Sequence, residues 1–518
     1  MVRPSSNSKR FGSILLLVLI AVAMMSLTIG SYLTLMQNEH TATRYGGRRL
    51  QARMLVESGV EYLLALLDQD SEETQSDGSL LDNEELMRSI LVADDKTPAF
   101  RGRFTVLAND QSEGQYHDLR YGLENESAKL NLNTLVADDD EENDTARERL
   151  LAIPGIDSEV ADSILDWLDS DDSPREFGAE QSHYRELSPA YRTRNGPLVA
   201  LDELLMVKGV TAELLYGYDT NRSYLVDDQE LPARGALEQL ENNEGELNRG
   251  ISAYLTLHSL ERLVTPEGKR KINVNNEKMR QLFNRLRKVI SKDEATFIVA
   301  YRQYGPAADG APGNSAAISA VKLDWKKEPQ TKITSLFDLV GARVSVPAKK
   351  ENDPPQVLDS PWQDDQATYS ESFSTLLDYV AINSAKQIAG RVNLGEATRP
   401  VLQSIPGMTE IIVDQILSHR DGTQRRDDQD SKHPLWLLTE GIVTLEEMKQ
   451  IAPYITLGGD VFSAQVIGYF EETTPRARAE VVLDRSGKTP RIVSWQELSQ
   501  LGPGVARSVL GDELENRK

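Results

Sequence analysis

From Ser13 to Asn38 the chain carries no charged side chain, and Leu, Ile, Val, Ala and Met dominate the stretch. Read as a helix, Ile14 to Met36 spans roughly 35 Å, enough to cross a ~30 Å hydrocarbon core with some tilt. Arg3, Lys9 and Arg10 precede it and the acidic bulk of the chain follows, which keeps the short end cytoplasmic. The rival reading is a cleaved signal peptide, whose apolar core is shorter and ends at a small-residue site. Here amphipathic sequence follows instead. Leu50, Met54, Val56, Val60, Leu63, Leu64 and Leu67 recur near a 3.6-residue period among Arg49, Arg53, Glu57 and Glu61. One helix from about Ser13 to Asp68 is expected, with Gly46-Gly47 as its weak point.

The remainder of the 518 residues is long enough for several domains and, at 27% charged and 39% hydrophobic, can fold in water. A net charge of −24, from 81 acidic against 57 basic residues, repels nucleic-acid phosphates and suits divalent cations or basic partners. No Cys is present, which excludes disulfides, thiolate zinc sites and thiol nucleophiles.

Residues 104–108 and 119–123 read as short strands around a polar turn. Asp138 to Asp144 is an acidic loop, and Arg147 to Tyr216 is helical with Pro/Gly punctuation. Connectors are expected at Asp68–Asn83, Val226–Gly250, Tyr304–Ser315 and Ala348–Asp365. An internal repeat runs through the middle. Tyr254–Ser259 leads to Lys271–Asn275, and Tyr379–Ser384 leads to Arg391–Leu394, each as a strand, a turn and an Asn-bearing segment entering a helix. Leu130–Asn133 copies the last part. These Asn residues are expected to cap turns and helices rather than bind ligand. Strand character returns at 462–470, 479–483 and 491–495.

Four apolar-x-Gly-apolar turns lie between helical patterns: Ile153–Ile156, Val207–Val210, Ile405–Met408 and Thr439–Ile442. This is a helix-hairpin-helix pattern. Such hairpins present backbone N–H groups to DNA phosphate when Lys or Arg is near, but acids follow the first, so packing is the expected role. Asp162, Asp166 and Asp169 share one helix face, and Asp171, Asp172 and Glu180 follow. Repulsion among them would be relieved by a hard cation; the spacing does not match an EF-hand loop, and a solvated acidic face is the alternative. Gly487-Lys-Thr489 lacks the earlier Gly and the following helix of a P-loop. No catalytic motif emerges.

Together these residues resemble the general secretion pathway protein K family, the large minor pseudopilins of type II secretion. The basic N-terminus, Gly12 and the apolar helix resemble a prepilin-type leader. The fifth position after Gly12 is Leu17, where major pilins carry Glu and this family does not. Leu130–Asn133, Asp166–Pro174, Gly178–Glu180, Tyr184 and the run from Leu187 to Gly209 are similar to the family's inserted helical domain. Tyr254–Ser259 and Ile272–Asn275 resemble its return to the sheet.

The resemblance implies an α+β fold: a long N-terminal transmembrane and pilin-like helix, an antiparallel pseudopilin sheet, and an inserted α-helical domain with helix-hairpin-helix-like turns. The chain then divides into a leader (1–12), the helix (13–68), the first part of the sheet (69–124), the inserted helical domain (125–250), a return to the sheet with a helical segment (251–353), an extra strand and hairpin module (354–460) that departs from the family by making this chain longer, and C-terminal strands and tail (461–518). The resemblance implies cleavage between Gly12 and Ser13 by a prepilin peptidase. It also implies Ca²⁺ held among Asp166, Asp169, Asp171, Asp172 and Glu180. The expected function is non-enzymatic: a single-pass inner-membrane subunit with a periplasmic body, capping the pseudopilus tip beside other minor pseudopilins and engaging secreted protein substrate. Alternatives are a membrane-anchored helix-hairpin-helix protein of DNA uptake, and a minor pilin of a type IV pilus.

Overall fold

The computed structural model describes residues 11–69, 80–110, 118–138, 144–225, 230, 249–308, 313–347, 354–422, 433–472 and 475–511. Most of the expected leader, of the acidic loop and of the first two connectors lies outside them.

Helix α1 (Phe11–Asp68) is continuous through Gly46-Gly47. At 1.5 Å per residue it is about 87 Å long. Its first two-thirds is exposed, including Ile14, Leu19, Leu27 and Leu35. Its last third buries Ala52, Leu55, Val56, Val60, Leu63 and Leu67 in a core of their own with the sheet. Fully burying each Leu or Val contributes about 1.5–3 kcal/mol, so this end is fixed while the apolar front half has no cover among the described residues.

Strands β1 (Ile90–Ala93), β2 (Gly102–Asp110), β3 (Asp118–Arg120) and β4 (Glu124–Asn125) come next. The chain then leaves the sheet for more than three hundred residues and returns as β16 (Val461–Phe470), β17 (Ala477–Asp484) and β18 (Arg491–Glu497). The sheet order is β1-β2-β16-β17-β18, antiparallel, with β3 on β2 and β4 on β16. α1 lies across β2, β16 and β17. Gly468 in β16 permits this close approach, since a Cβ there would meet the Ala52 carbonyl oxygen at 2.3 Å.

The insertion is three modules, each closed by a two-residue parallel strand pair. The first opens on β5 (Leu130–Asn131) and closes on β6 (Leu255–Thr256). The second opens, after β7 (Leu260–Arg262), on β8 (Ile272–Asn273) and closes on β12 (Val380–Ala381). The third opens, after β13 (Gln387–Ala389), on β14 (Val392–Asn393) and closes on β15 (Ile455–Thr456). β7 and β13 pair antiparallel and join the modules. Each opening Asn makes the same turn: the Oδ1 atoms of Asn131, Asn273 and Asn393 accept from the N–H two residues on, at 2.8–3.0 Å. Capping is thus what these Asn residues do. The module interiors share one continuous apolar core.

Three expectations need correction. The segment 251–353 does not return to the large sheet. Its strands close the first module and open the second, so a strand-to-Asn unit of the repeat is the junction between modules. The extra module is not 354–460, because residue 354 falls inside the second module and the third begins near Arg391. The segments 304–315 and 348–365 are not plain connectors: they hold β9 (Asn314–Ser315) and β11 (Gln356–Asp359), which with β10 (Arg343–Val346) form a three-stranded sheet inside the second module. Two-residue strands carry too little pattern to be read from alternation.

Candidate metal centre

In the first module α2 (Thr145–Leu151) and α3 (Ser158–Leu168) form a hairpin around Gly155, whose φ of 84° suits Gly. Asp157 caps α3, its Oδ1 accepting from the Val160 N–H at 3.0 Å. The expected face then forms, but its three acids have different fates. Asp162 accepts from Arg147 Nε at 2.6 Å and from the Phe177 N–H at 3.1 Å. Asp166 and Asp169 lie at the helix end, where α3 gives way to the loop 169–180, and Glu180 returns at the start of α4 (Gln181–Glu186).

Asp166, Asp169 and Glu180 are all buried, and one oxygen from each lies within 4.8 Å of the others. Arg175 bridges the first two, donating from Nη1 to Asp166 at 2.8 Å and to Asp169 at 2.6 Å. Asp169 Oδ1 and both Glu180 oxygens are shut from solvent without a hydrogen bond of ordinary geometry. Burial, then the charges of Asp166 and Asp169, push the Glu180 carboxyl up to about 7. Burial also raises Asp166 and Asp169 against the pull of Arg175. Three carboxylates supply hard oxygen donors of the type Ca²⁺ takes. The loop leaves room for them only because residue 178 is Gly; a Cβ there would stand 2.0 Å from Asp166 Oδ2. The residues therefore fit a hard divalent cation.

Asp171 and Asp172 do not join this group. Both are exposed; Asp171 Oδ1 accepts from the Ser173 N–H and Asp172 Oδ1 from Asn195 Nδ2. An aromatic box fixes the loop from below: Trp167 meets Tyr184 edge-on at 5.1 Å, and Tyr184 packs against Tyr191 at 5.3 Å. Trp167 Nε1 donates to Glu203, and the Lys208 N–H donates to the Tyr184 hydroxyl. Burial raises that hydroxyl to about 12. Sequence reasoning missed Arg175, although a cation inside an acidic run was there to be noticed. Gly12 and Ser13 lie in the first turns of α1. Gly487-Lys-Thr489 is the turn between β17 and β18, with no helix behind it.

An apolar shaft carrying an antiparallel sheet, with helical modules inserted between its strands, is a mixed α+β architecture whose N-terminal helix is long and apolar enough to cross a membrane. Residues 128–218 match the family described as type II secretion system (T2SS), protein K. The chain is 26% identical over 213 residues to a putative type II secretion system protein K of Escherichia coli K12, covering 40% of this chain and 60% of that one. It is 40% identical over 57 residues to type II secretion system protein K of Aeromonas hydrophila, covering 11% and 17%. The chain thus spans less than two-thirds of either relative. A solved structure, the GspK–GspI–GspJ complex of enterotoxigenic E. coli, aligns over 89% of this chain and 99% of that one at a TM-score of 0.34 and 13% identity. Over these matched segments the chain is similar to the type II secretion system protein K family.

Proposed function

We propose that this chain is a minor pseudopilin of a type II secretion system, held in the inner membrane by α1 with its body in the periplasm, where it caps the pseudopilus tip. The uncovered front half of α1 is the observation that supports this most. A long apolar rod fixed to its head at one end serves first as anchor and then as a surface for bundling with like rods. The head adds three modules to a pilin-like sheet, a mass that leaves little room for a further subunit above it. Leu17 in place of an acid removes the charge by which a pilin would pair with a subunit ahead of it. Its partners are other minor pseudopilins and secreted protein substrate; its role is structural rather than catalytic. Maturation is cleavage after Gly12 by a prepilin peptidase. When bound, Ca²⁺ neutralises Asp166, Asp169 and Glu180, which would hold it and draw the loop 169–180 onto α3.

Because the chain has no Cys, a single Leu35→Cys variant gives a clean test. Crosslinking in membranes is expected to yield adducts with other pilin-like subunits carrying Cys at matching depth. Finding none, in cells that assemble the secretion system, overturns the reading.

A further inference from the structure

One stretch at the start of the second module carries a charge opposite to that of the chain. Residues 266–292 hold nine Lys and Arg against two Glu. The helix α6 (Met279–Leu286), next after α5 (Ala212–Tyr216), explains the arrangement. It turns Met279, Leu282, Phe283 and Leu286 into the core and leaves Arg280 and Arg285 exposed. Lys269, Arg270, Arg287 and Lys288 are exposed as well. Among the described residues none of these six cations makes an ion pair with a carboxylate. Beside them Trp325, 41% exposed, packs on Phe283 with ring centroids 5.2 Å apart, and the Arg287 guanidinium lies 5.5 Å from the same Phe283 ring.

At one end of this face is a cleft of about 280 Å³, lined by Arg270, Lys271, Arg285, Asn273, Asn276 and Asn383. The side-chain oxygen of each Asn is already taken by a backbone N–H, from Asn275, Lys278 and Ala385 respectively. Their Nδ2 groups have no protein acceptor among the described residues. The cleft therefore offers donors and positive charge.

We infer that this face of the second module is a docking surface for an acidic segment of a partner protein, with one carboxylate seated in the cleft and others across α6 toward Trp325. Charge complementarity selects the sign of the partner, and an exposed Trp flanked by Arg is the usual composition of a protein-interface anchor. A nucleic acid fits less well. Beyond α7 (Lys292–Tyr304) and around the patch, an extended polyanion would overrun onto a chain of net charge −24. This surface lies outside residues 128–218, the segment that the family model matches, and goes beyond the role proposed above.

The test uses the full chain in neutral detergent and a fluorescent peptide of alternating Glu and Phe. The peptide is expected to bind with an affinity that falls as salt rises, about tenfold weaker for Arg270→Glu/Arg285→Glu and weaker again for Trp325→Ala, with unchanged circular dichroism. Equal binding by the charge-reversal variant overturns the proposal. So does tighter binding of an oligonucleotide of matched charge, or of vesicles containing phosphatidylglycerol. Self-association abolished by the same variant would assign the face to a second copy and overturn it too.

Discussion

The first and second modules are one frame bearing charged groups of opposite sign at one place in each. Both open on a strand ending in Asn, both close on a parallel partner, and both use a second Asn to hold the chain far downstream. In the first, Asn133 donates to the Leu198 carbonyl and accepts from its N–H. In the second, Asn275 does the same to Ile333 and also donates to the Ile382 carbonyl. The first then gathers buried carboxylates and the second spreads exposed cations. What holds the frame is apolar burial and amide hydrogen bonding, so charge is free to differ, and it differs where ligands would be met. The third module has Gly395 where the others have this Asn, and so is a natural control.

The largest expected effect breaks the frame itself. Asn275→Ala removes three hydrogen bonds to backbone and leaves partly buried carbonyl and N–H groups unpaired. That costs about 3 kcal/mol at 1–3 kcal/mol per unsatisfied group, and Asn133→Ala about 2 kcal/mol. Amide exchange resolved by segment should show faster opening confined to the altered module, while Gly395→Ala leaves the third module near its native protection. If neither Asn variant changes protection, the shared frame is a resemblance of path only.

The next effect sharpens the electrostatic contrast, because only the first module should respond to Ca²⁺ and to pH. Glu180 titrates near 4.5 when unfolded and about 7 when folded, so the folded state holds its proton longer. The stability that this group contributes is greatest below about pH 4.5, falls as pH rises to about 7, and is flat above that. The raised Asp166 and Asp169 act in the same direction. Bound Ca²⁺ removes the penalty. At a hundred times its Kd it would stabilise by about 2.7 kcal/mol, with tighter binding as pH rises through the same window. Glu180→Gln should melt higher than native in chelator at pH 8 and gain nothing from Ca²⁺. A variant that gains as much as native would place any ion elsewhere.

How much of this was legible in the sequence depended on how local the signal was. The shaft was, because an uncharged apolar run passes directly into an amphipathic one of helical period; the sheet strands were, because β2, β16 and β17 are long enough to show their pattern. The acidic cluster was legible as composition, but not its division: only folding shows that Arg147 takes Asp162, that Asp171 and Asp172 stay outside, and that Arg175 sits between Asp166 and Asp169. Module boundaries were hidden because β5 and β6 are two residues each and lie over a hundred residues apart, so their pairing is set by tertiary structure alone. The cationic face was present in the sequence from Lys269 to Lys292 and was masked by averaging charge over the whole chain.

Arg175 separates a metal site from a merely self-neutralised acidic loop. As a built-in cation it offsets Asp166 and Asp169 in the absence of metal. Arg175→Gln should therefore cost about 1.5–3 kcal/mol in chelator, the range for a hydrogen bond to a charged group, and tighten Ca²⁺ binding by removing a competitor. Calorimetry of both forms checks this. Destabilisation without tighter Ca²⁺ binding would mean that the guanidinium itself completes the structure.

The smallest effect concerns the second module, and its smallness is the point. Arg285, Arg287 and Lys288 are exposed and have no carboxylate partner among the described residues. Reversing all three to Glu therefore removes no ion pair. It lowers the net charge from −24 while relieving repulsion within a basic patch, two changes of opposite sign. Surface substitutions of this kind usually fall within about 0.5 kcal/mol each, so the melting temperature should scarcely move in neutral buffer. In the first module, changing Glu180 alone should move it measurably. If the reversal instead destabilised the second module strongly, its cations would be holding the frame, and the division between a charge-independent frame and charge-bearing surfaces would fail.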